Sequence, residues 1–407
     1  MTSSRPAPPR YRWVVLAAGA GATAALAAVQ GGLPALGPAI QEEFGLSLVQ
    51  VTAVFTAFAI GTVTTLLAWG VLADRVGERT VIATGLGTAA LLMAAVAASD
   101  GYGALLGGTA LAGALGSSAI AASGRAVFSW FPRGERGLAL GLRQTAVPAG
   151  AALASFTLPP LAAGFGLDAA LYALAGAMLV AAAACGIWLR EGPRRESAAP
   201  PAPDAVRDPR IWRLSAASSL MIIGQVGVTS LLVLYLFGER GWSAGTAALA
   251  LGAVQVGAAA ARIAAGRWSD VRDARIEPFR RLATAAGILL LAAAALVPAP
   301  AAIAVPVLMA GGVAAMSWNG LSFTAAAEIS GRRQAGTAMG IQNTAMRVVA
   351  AGVPVGLGAL ASGVSWALAF AVMGTTPLVA RSLLRPLRDD EDARRLRREE
   401  RVAHQMV

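Results

Sequence analysis

The chain has 407 residues, of which 56% are hydrophobic and 14% charged, with a mean hydropathy of +0.63 and a formal net charge of +11. These values exclude a water-soluble globule and point to an all-α polytopic membrane protein. Every basic residue is Arg, so a Walker-type lysine is impossible and ATP-driven pumping by this chain alone is excluded. One cysteine, Cys185, rules out an internal disulfide or a cysteine metal cluster.

Apolar runs of about 20 residues, enough for a helix to cross roughly 30 Å of hydrocarbon, recur about twelve times. In chain order they lie near Trp13 to Leu36, Leu48 to Trp69, Thr80 to Ser99, Leu105 to Trp130, Leu138 to Ala163 and Leu167 to Leu189. After a Pro-, Ala- and Arg-rich break they resume near Leu214 to Phe237, Thr246 to Ala265, Leu282 to Val297, Ala302 to Ala327, Gly336 to Leu360 and Trp366 to Leu384. The expected organisation is a six-helix bundle over 1–190, a linker over 191–212, a second six-helix bundle over 213–384 and a charged tail over 385–407. The first run is too long, and lacks the small-residue cleavage signal, to be a removed signal peptide.

Arginine placement sets the orientation, because basic residues near span ends stay cytoplasmic. They cluster before the first span and after every even-numbered one, whereas Glu42, Glu43, Asp100, Asp168 and Glu239 mark the other side. A multi-pass protein of the cell membrane, with both termini cytoplasmic, is expected. Topology thus accounts for the positive charge, and no nucleic-acid partner is expected. The tail beginning at Arg385 alternates Asp, Glu and Arg, which fits either a helix on the inner membrane surface or a solvated segment.

Between the second and third runs stands Gly70-Val-Leu-Ala-Asp-Arg-Val-Gly-Glu-Arg79, read as a tight charged turn between spans. A weaker copy, Gly266-Arg-Trp-Ser-Asp270, follows at an offset of 196, since 266 − 70 = 196. Gly137 to Ala146 likewise matches Gly336 to Ala345 at 199, since 336 − 137 = 199. Two such matches, each at the same place in its set of six runs, indicate parallel internal repeats, an architecture of secondary transporters.

Gly70, Leu72, Ala73, Asp74, Arg75, Gly77 and Arg79 fit the signature between spans two and three of the major facilitator superfamily, with Glu78 at a usually basic position. The chain therefore resembles that family over nearly its whole length. The resemblance implies two six-helix bundles around a central cavity that work by rocking. Physically, Gly70 and Gly77 suit a tight turn and close helix approach, and Asp74 suits the positive end of a helix. Arg75 and Arg79 suit headgroups or carboxylates. Together with Arg125, expected to meet Asp74, and with Asp270, these residues form a candidate inner gate; for the arginines, plain positive-inside placement is the competing reading.

Ionisable side chains within spans are costly and serve as functional candidates. Arg143 lies roughly 10 Å into span five and Arg347 roughly 20 Å into span eleven, four residues after Asn343 and so on its face. Arg143, Gln144, Gln342, Asn343 and Arg347 are candidate substrate ligands, with snorkelling to the membrane surface as the alternative for the arginines. Gln30, Gln225 and Asn319 join them because the resemblance places their spans along the cavity; interhelical bonding is the alternative. Gln255 is open to the same two readings. Arg262 and Glu328 are read as structural, and Trp318 as a packed aromatic before a cavity wall.

No acidic residue lies deep in a span, Glu328 comes nearest, and the single histidine is His404 in the tail. A protein-borne proton carrier is therefore hard to find. Span five reads Val147-Pro-Ala-Gly-Ala-Ala-Leu, without the Gly-Pro motif that marks drug–proton antiporters in the family. The expectation is a monomeric transporter of a small solute, in particular an organic anion, because the planar guanidinium matches a carboxylate. Efflux of lipophilic compounds is the alternative, and a transporter-like sensor is the alternative from another class. An enzyme is not expected, since no nucleophile–base pair, paired carboxylates or metal constellation falls in the spans. No cofactor or metal is expected.

Overall fold

The computed structural model describes residues 10–131, 135–190, 206–331 and 334–393, which form helices and turns only. Most of the linker and the tail beyond Ala393, including His404, lie outside the described residues. Twelve helices are long and apolar enough to cross a membrane. The first six are Arg12–Ala35, Leu48–Val76, Glu78–Ala97, Tyr102–Val127, Leu142–Phe165 and Leu167–Trp188. The second six are Pro209–Gly238, Ala244–Arg272, Ile276–Ala295, Ala301–Ser330, Gly336–Gly363 and Trp366–Ala393. All twelve apolar runs are thus helices, and the last extends to Ala393.

Two compact units result. The first contains the first six spans together with Ser230–Val256; the second contains Ala199–Thr229 and the chain from Gly257 onward. Spans seven and eight each contribute residues to both units. In the first unit, a side chain at Gly37 would stand 3.0 Å from Leu234 Cδ2, and one at Gly252 would stand 2.6 Å from Phe156 Cζ.

Small residues decide which helices meet, as expected where lipid competes for every apolar surface. Gly61 of span two lies against the Ala110 carbonyl, and Gly113 of span four against the Phe58 carbonyl, with no room for a Cβ at either. A Cβ at Gly31 in span one would fall 2.6 Å from that of Ala151 in span five. In the second unit, Cβ atoms at Gly287 and Gly374 would each be 3.0 Å from the other's carbonyl, locking span nine to span twelve.

The charged motif folds differently from a tight turn. Span two stays helical to Val76, so Gly70, Asp74 and Arg75 are on the helix, and the reversal falls on Gly77 alone, at φ 88°. Glycine meets that requirement without a Cβ clash. Gly70 has open space where a side chain would be, so it serves neither turn nor close approach. The counterpart of Gly77 continues the symmetry: 77 + 196 = 273, and Asp273 is the one non-glycine residue with positive φ among the described residues, at 46°. Asp is among the few residues that tolerate this conformation.

Spans four and ten, expected as continuous runs, are interrupted at matching places. The helix ending at Gly116 restarts at Ser118, and the helix ending at Ala315 restarts at Asn319. At the first interruption, Trp69 Nε1 donates to the Ala114 carbonyl at 2.7 Å and Thr65 Oγ1 at 2.6 Å. At the second, Arg262 Nε donates to the Met316 carbonyl at 2.6 Å. A cation at this helix C-terminus satisfies a freed carbonyl and opposes the dipole's negative end.

Candidate functional site

Arg143 is buried in the first unit. Its Nε donates to Ser123 Oγ at 2.9 Å, while Nη2 reaches the Ile120 carbonyl and Nη1 reaches Gln144 Oε1, each at 3.4 Å. Ser123 in turn lies 3.3 Å from Thr23 Oγ1. Spans one, four and five are thereby tied by one polar triad. The second unit repeats the arrangement: Gln342 Nε2 donates to Ser218 Oγ at 2.9 Å and to Ser322 Oγ, and the two serine hydroxyls are 2.7 Å apart. Spans seven, ten and eleven are joined there. The positions correspond, since 342 − 143 = 199 and 322 − 123 = 199. Ser123 and Ser322 were missed from sequence because serine is common in membrane helices, although the offset that paired Arg143 with Gln342 also pairs them.

The other candidates are placed as follows. Gln30 and Gln144 are exposed, Asn343 is half-buried and Gln255 is buried. Trp318 is fully buried and stacks on Phe279, with ring centres 5.3 Å apart, so it is a packed aromatic.

Both units hold orphaned polar atoms among the described residues, and four of those in the second unit fall on the candidate residues. Gln225 Oε1, Asn319 Oδ1, Gln342 Oε1 and Arg347 Nε are all buried without a hydrogen-bond partner. Burying such atoms costs about 1–3 kcal/mol each if nothing meets them. They are carried by spans seven, ten and eleven, the three helices that Gln342 joins through Ser218 and Ser322. A side chain at Gly224, next to Gln225, would lie 3.6 Å from Ala315 Cβ, at the interruption that opens on Asn319. Gln342 bonds Ser322, one turn beyond Asn319. Arg347 stands about 140° around span eleven from Gln342, on the face of Asn343, with no carboxylate paired to it among the described residues.

At the Arg-rich ends of the helices, Arg125 Nη1 binds Asp74 Oδ1, and Nη2 donates to the Gly70 carbonyl at 3.0 Å. Arg75 and Arg79 are exposed. In the second unit the repeat residue Asp270 accepts from Arg275 Nη1 at 2.6 Å, and Arg275 Nε donates to Glu328 Oε1 at 3.0 Å. Burial alone would lower the Arg275 pKa; hydrogen bonds to Glu328 and Asp270 outweigh it and hold the pKa above its ordinary value. Asp74 therefore engages span four directly, whereas Asp270 reaches span ten through an arginine that sequence reasoning passed over as a loop charge.

The family model for the Major Facilitator Superfamily matches residues 18–354. Two proteins of Mycobacterium tuberculosis, from strains ATCC 25618 / H37Rv and CDC 1551 / Oshkosh, are described as uncharacterized MFS-type transporters. Each is 34% identical to this chain over 379 residues, covering 91% of it and 84% of the relative. Among solved structures, a bacterial homolog to the human lysosomal transporter Spinster is similar in fold. Its inward-facing occupied form has a TM-score of 0.74 at 16% identity, and its unoccupied form 0.72 at 15%, each covering 96% of this chain and 97% of the other.

Proposed function

Since the chain belongs to the major facilitator superfamily and is a multi-pass membrane transporter, we propose that its solute is a small organic anion, carried by alternating access, with Arg347 as the anion ligand. The observation that carries this reading is the set of orphaned atoms: a buried guanidinium Nε on span eleven and buried amide oxygens at Gln225 on span seven and Asn319 on span ten. A carboxylate answers the arginine. Hydroxyl or amine groups on the same solute answer the amide oxygens, so a hydroxylated or aminated carboxylate fits better than a bare lipophilic acid. Gln342, bonded to two serines, holds the three helices in register beside the ligand.

A thermal-shift screen of purified protein against carboxylates, sugars and drug-like compounds identifies the ligand, because binding to the folded state alone raises stability. Counterflow in proteoliposomes then separates a transporter from a sensor, which binds without exchanging solute. A screen answered only by uncharged or cationic compounds would overturn the anion assignment.

The proposed mode is uniport, exchange, or symport in which the proton rides on the solute. Among the described residues the acidic side chain nearest a span interior is Glu328, and Arg275 already occupies it. For a solute of fixed charge, an imposed pH gradient is expected to leave accumulation in proteoliposomes unchanged. Protonophore-sensitive accumulation of that solute would show that the protein itself carries the proton.

In the proposed gate, Asp74→Asn is expected to slow transport severalfold while expression and thermal stability stay near wild type. The Asp74 side chain is 59% exposed, so its pair with Arg125 contributes at most about 1 kcal/mol to folding, whereas a contact present in one conformation shifts the cycle. Wild-type transport rates in the variant would remove Asp74 from the gate.

A further inference from the structure

We propose that the cleft between the start of span nine and the end of span twelve binds the phosphate headgroup of an anionic phospholipid. The cleft encloses about 480 Å³ and is lined at its charged end by Arg280, Arg281, Arg381, Arg388 and Glu277. Glu277 is shared among three of these arginines: Arg280 Nη1 at 3.3 Å, Arg281 Nε at 3.0 Å and Arg388 Nε at 3.5 Å. Arg388 also meets Asp392 at 3.3 Å. Arg381 contributes its carbonyl to Arg280 Nε at 3.3 Å, and its exposed guanidinium forms no ion pair among the described residues. Four guanidiniums against two carboxylates leave two positive charges, and one carboxylate cannot fill the donor sites of three arginines. Phosphate oxygens accept such forked donors well.

The far wall decides between a lipid and a free anion. Beyond the arginines, the cleft continues along span nine over Ala285, Ile288 and Leu289, and Ile288 is 57% exposed. A charged end at the helix terminus followed by an apolar flank one to two turns deeper matches a headgroup with its acyl chain; inorganic phosphate would have no use for the flank.

The charged end is held in place from two sides. Glu391 accepts from the backbone N–H of Arg275 at 2.7 Å and of Ile276 at 3.1 Å, capping span nine and fixing the final helical turns that carry Arg388. Arg281 lies over the Trp268 ring, 5.5 Å from its centre.

The test is native mass spectrometry of the delipidated full chain with phosphatidylglycerol, with phosphatidylcholine, and with phosphatidylglycerol plus inorganic phosphate. The expected result is selective retention of phosphatidylglycerol that inorganic phosphate does not displace. Arg381→Ala/Arg388→Ala is expected to reduce retention about tenfold or more, and Glu277→Gln to increase it, because the competing carboxylate is gone. Equal retention of phosphatidylcholine, displacement by inorganic phosphate, or undiminished retention in the double variant would each overturn the proposal. Thermal unfolding in phosphatidylcholine checks that the variant is folded; if it is not, the Glu277→Gln variant and the wild-type lipid comparison decide.

Discussion

Arg347→Ala is expected to abolish binding of the solute, with a loss of about 2–5 kcal/mol, or at least roughly thirtyfold in affinity. The reason is asymmetric. Arg347 Nε is buried and unsatisfied, so folding gains nothing from that atom, while an anion arriving there meets a desolvated charge with no competing carboxylate among the described residues. Removing the side chain deletes the attraction and leaves the bundle's own bonds intact. Arg347→Lys is not expected to restore binding, because an ammonium presents a point charge in place of the planar fork. Affinities of the two variants, measured by thermal shift or isotope binding with the ligand found in the screen, check both statements. Wild-type affinity in the alanine variant for every ligand found would move the site elsewhere.

A disulfide between Gly37→Cys and Leu234→Cys is expected to arrest transport upon oxidation, by about tenfold or more, with recovery upon reduction. A Cβ at position 37 would lie 3.3 Å from Leu234 Cγ, one bond from that residue's own Cβ. The two Cβ atoms are therefore within reach of the roughly 3.5–4.5 Å a disulfide requires. Both positions lie at the helix ends opposite the Arg-rich loops, where the seventh span packs with the first six. The proposed alternating-access cycle parts this packing once per turnover, and a covalent bond of that length forbids it. The native Cys185 is buried and free, so it offers little competition for oxidant. Counterflow before oxidation, after it, and after reductant is the measurement. Unimpaired counterflow in a fully crosslinked sample would show that this contact does not open.

Much was legible in the sequence by itself. Twelve spans, their order, the repeat offsets and the role of Gly77 followed from local sums: hydropathy over about 20 residues, Arg placement, and a glycine between two helices. Each depends on neighbours in the chain, so no tertiary knowledge is needed. Depth within a span was equally readable from the 1.5 Å rise, which is why Arg347 stood out before any contact was known.

Tertiary structure alone decided the partners. Ser123 and Ser322 look like any membrane-helix serine until the rotation of spans four and ten aims them at Arg143 and Gln342. Arg262 and Trp69 find carbonyls that are free only because spans ten and four are interrupted. Glu391, read from sequence as one charge in a tail, caps a helix more than a hundred residues earlier. Ser230–Val256 joins the first six spans through contacts such as Leu234 on Gly37. The physical reason is common to all four. Hydropathy specifies that a helix crosses the membrane, but its rotation and neighbours are set by glycine-sized gaps and single hydrogen bonds between residues remote in sequence. Those terms are invisible to any local sum.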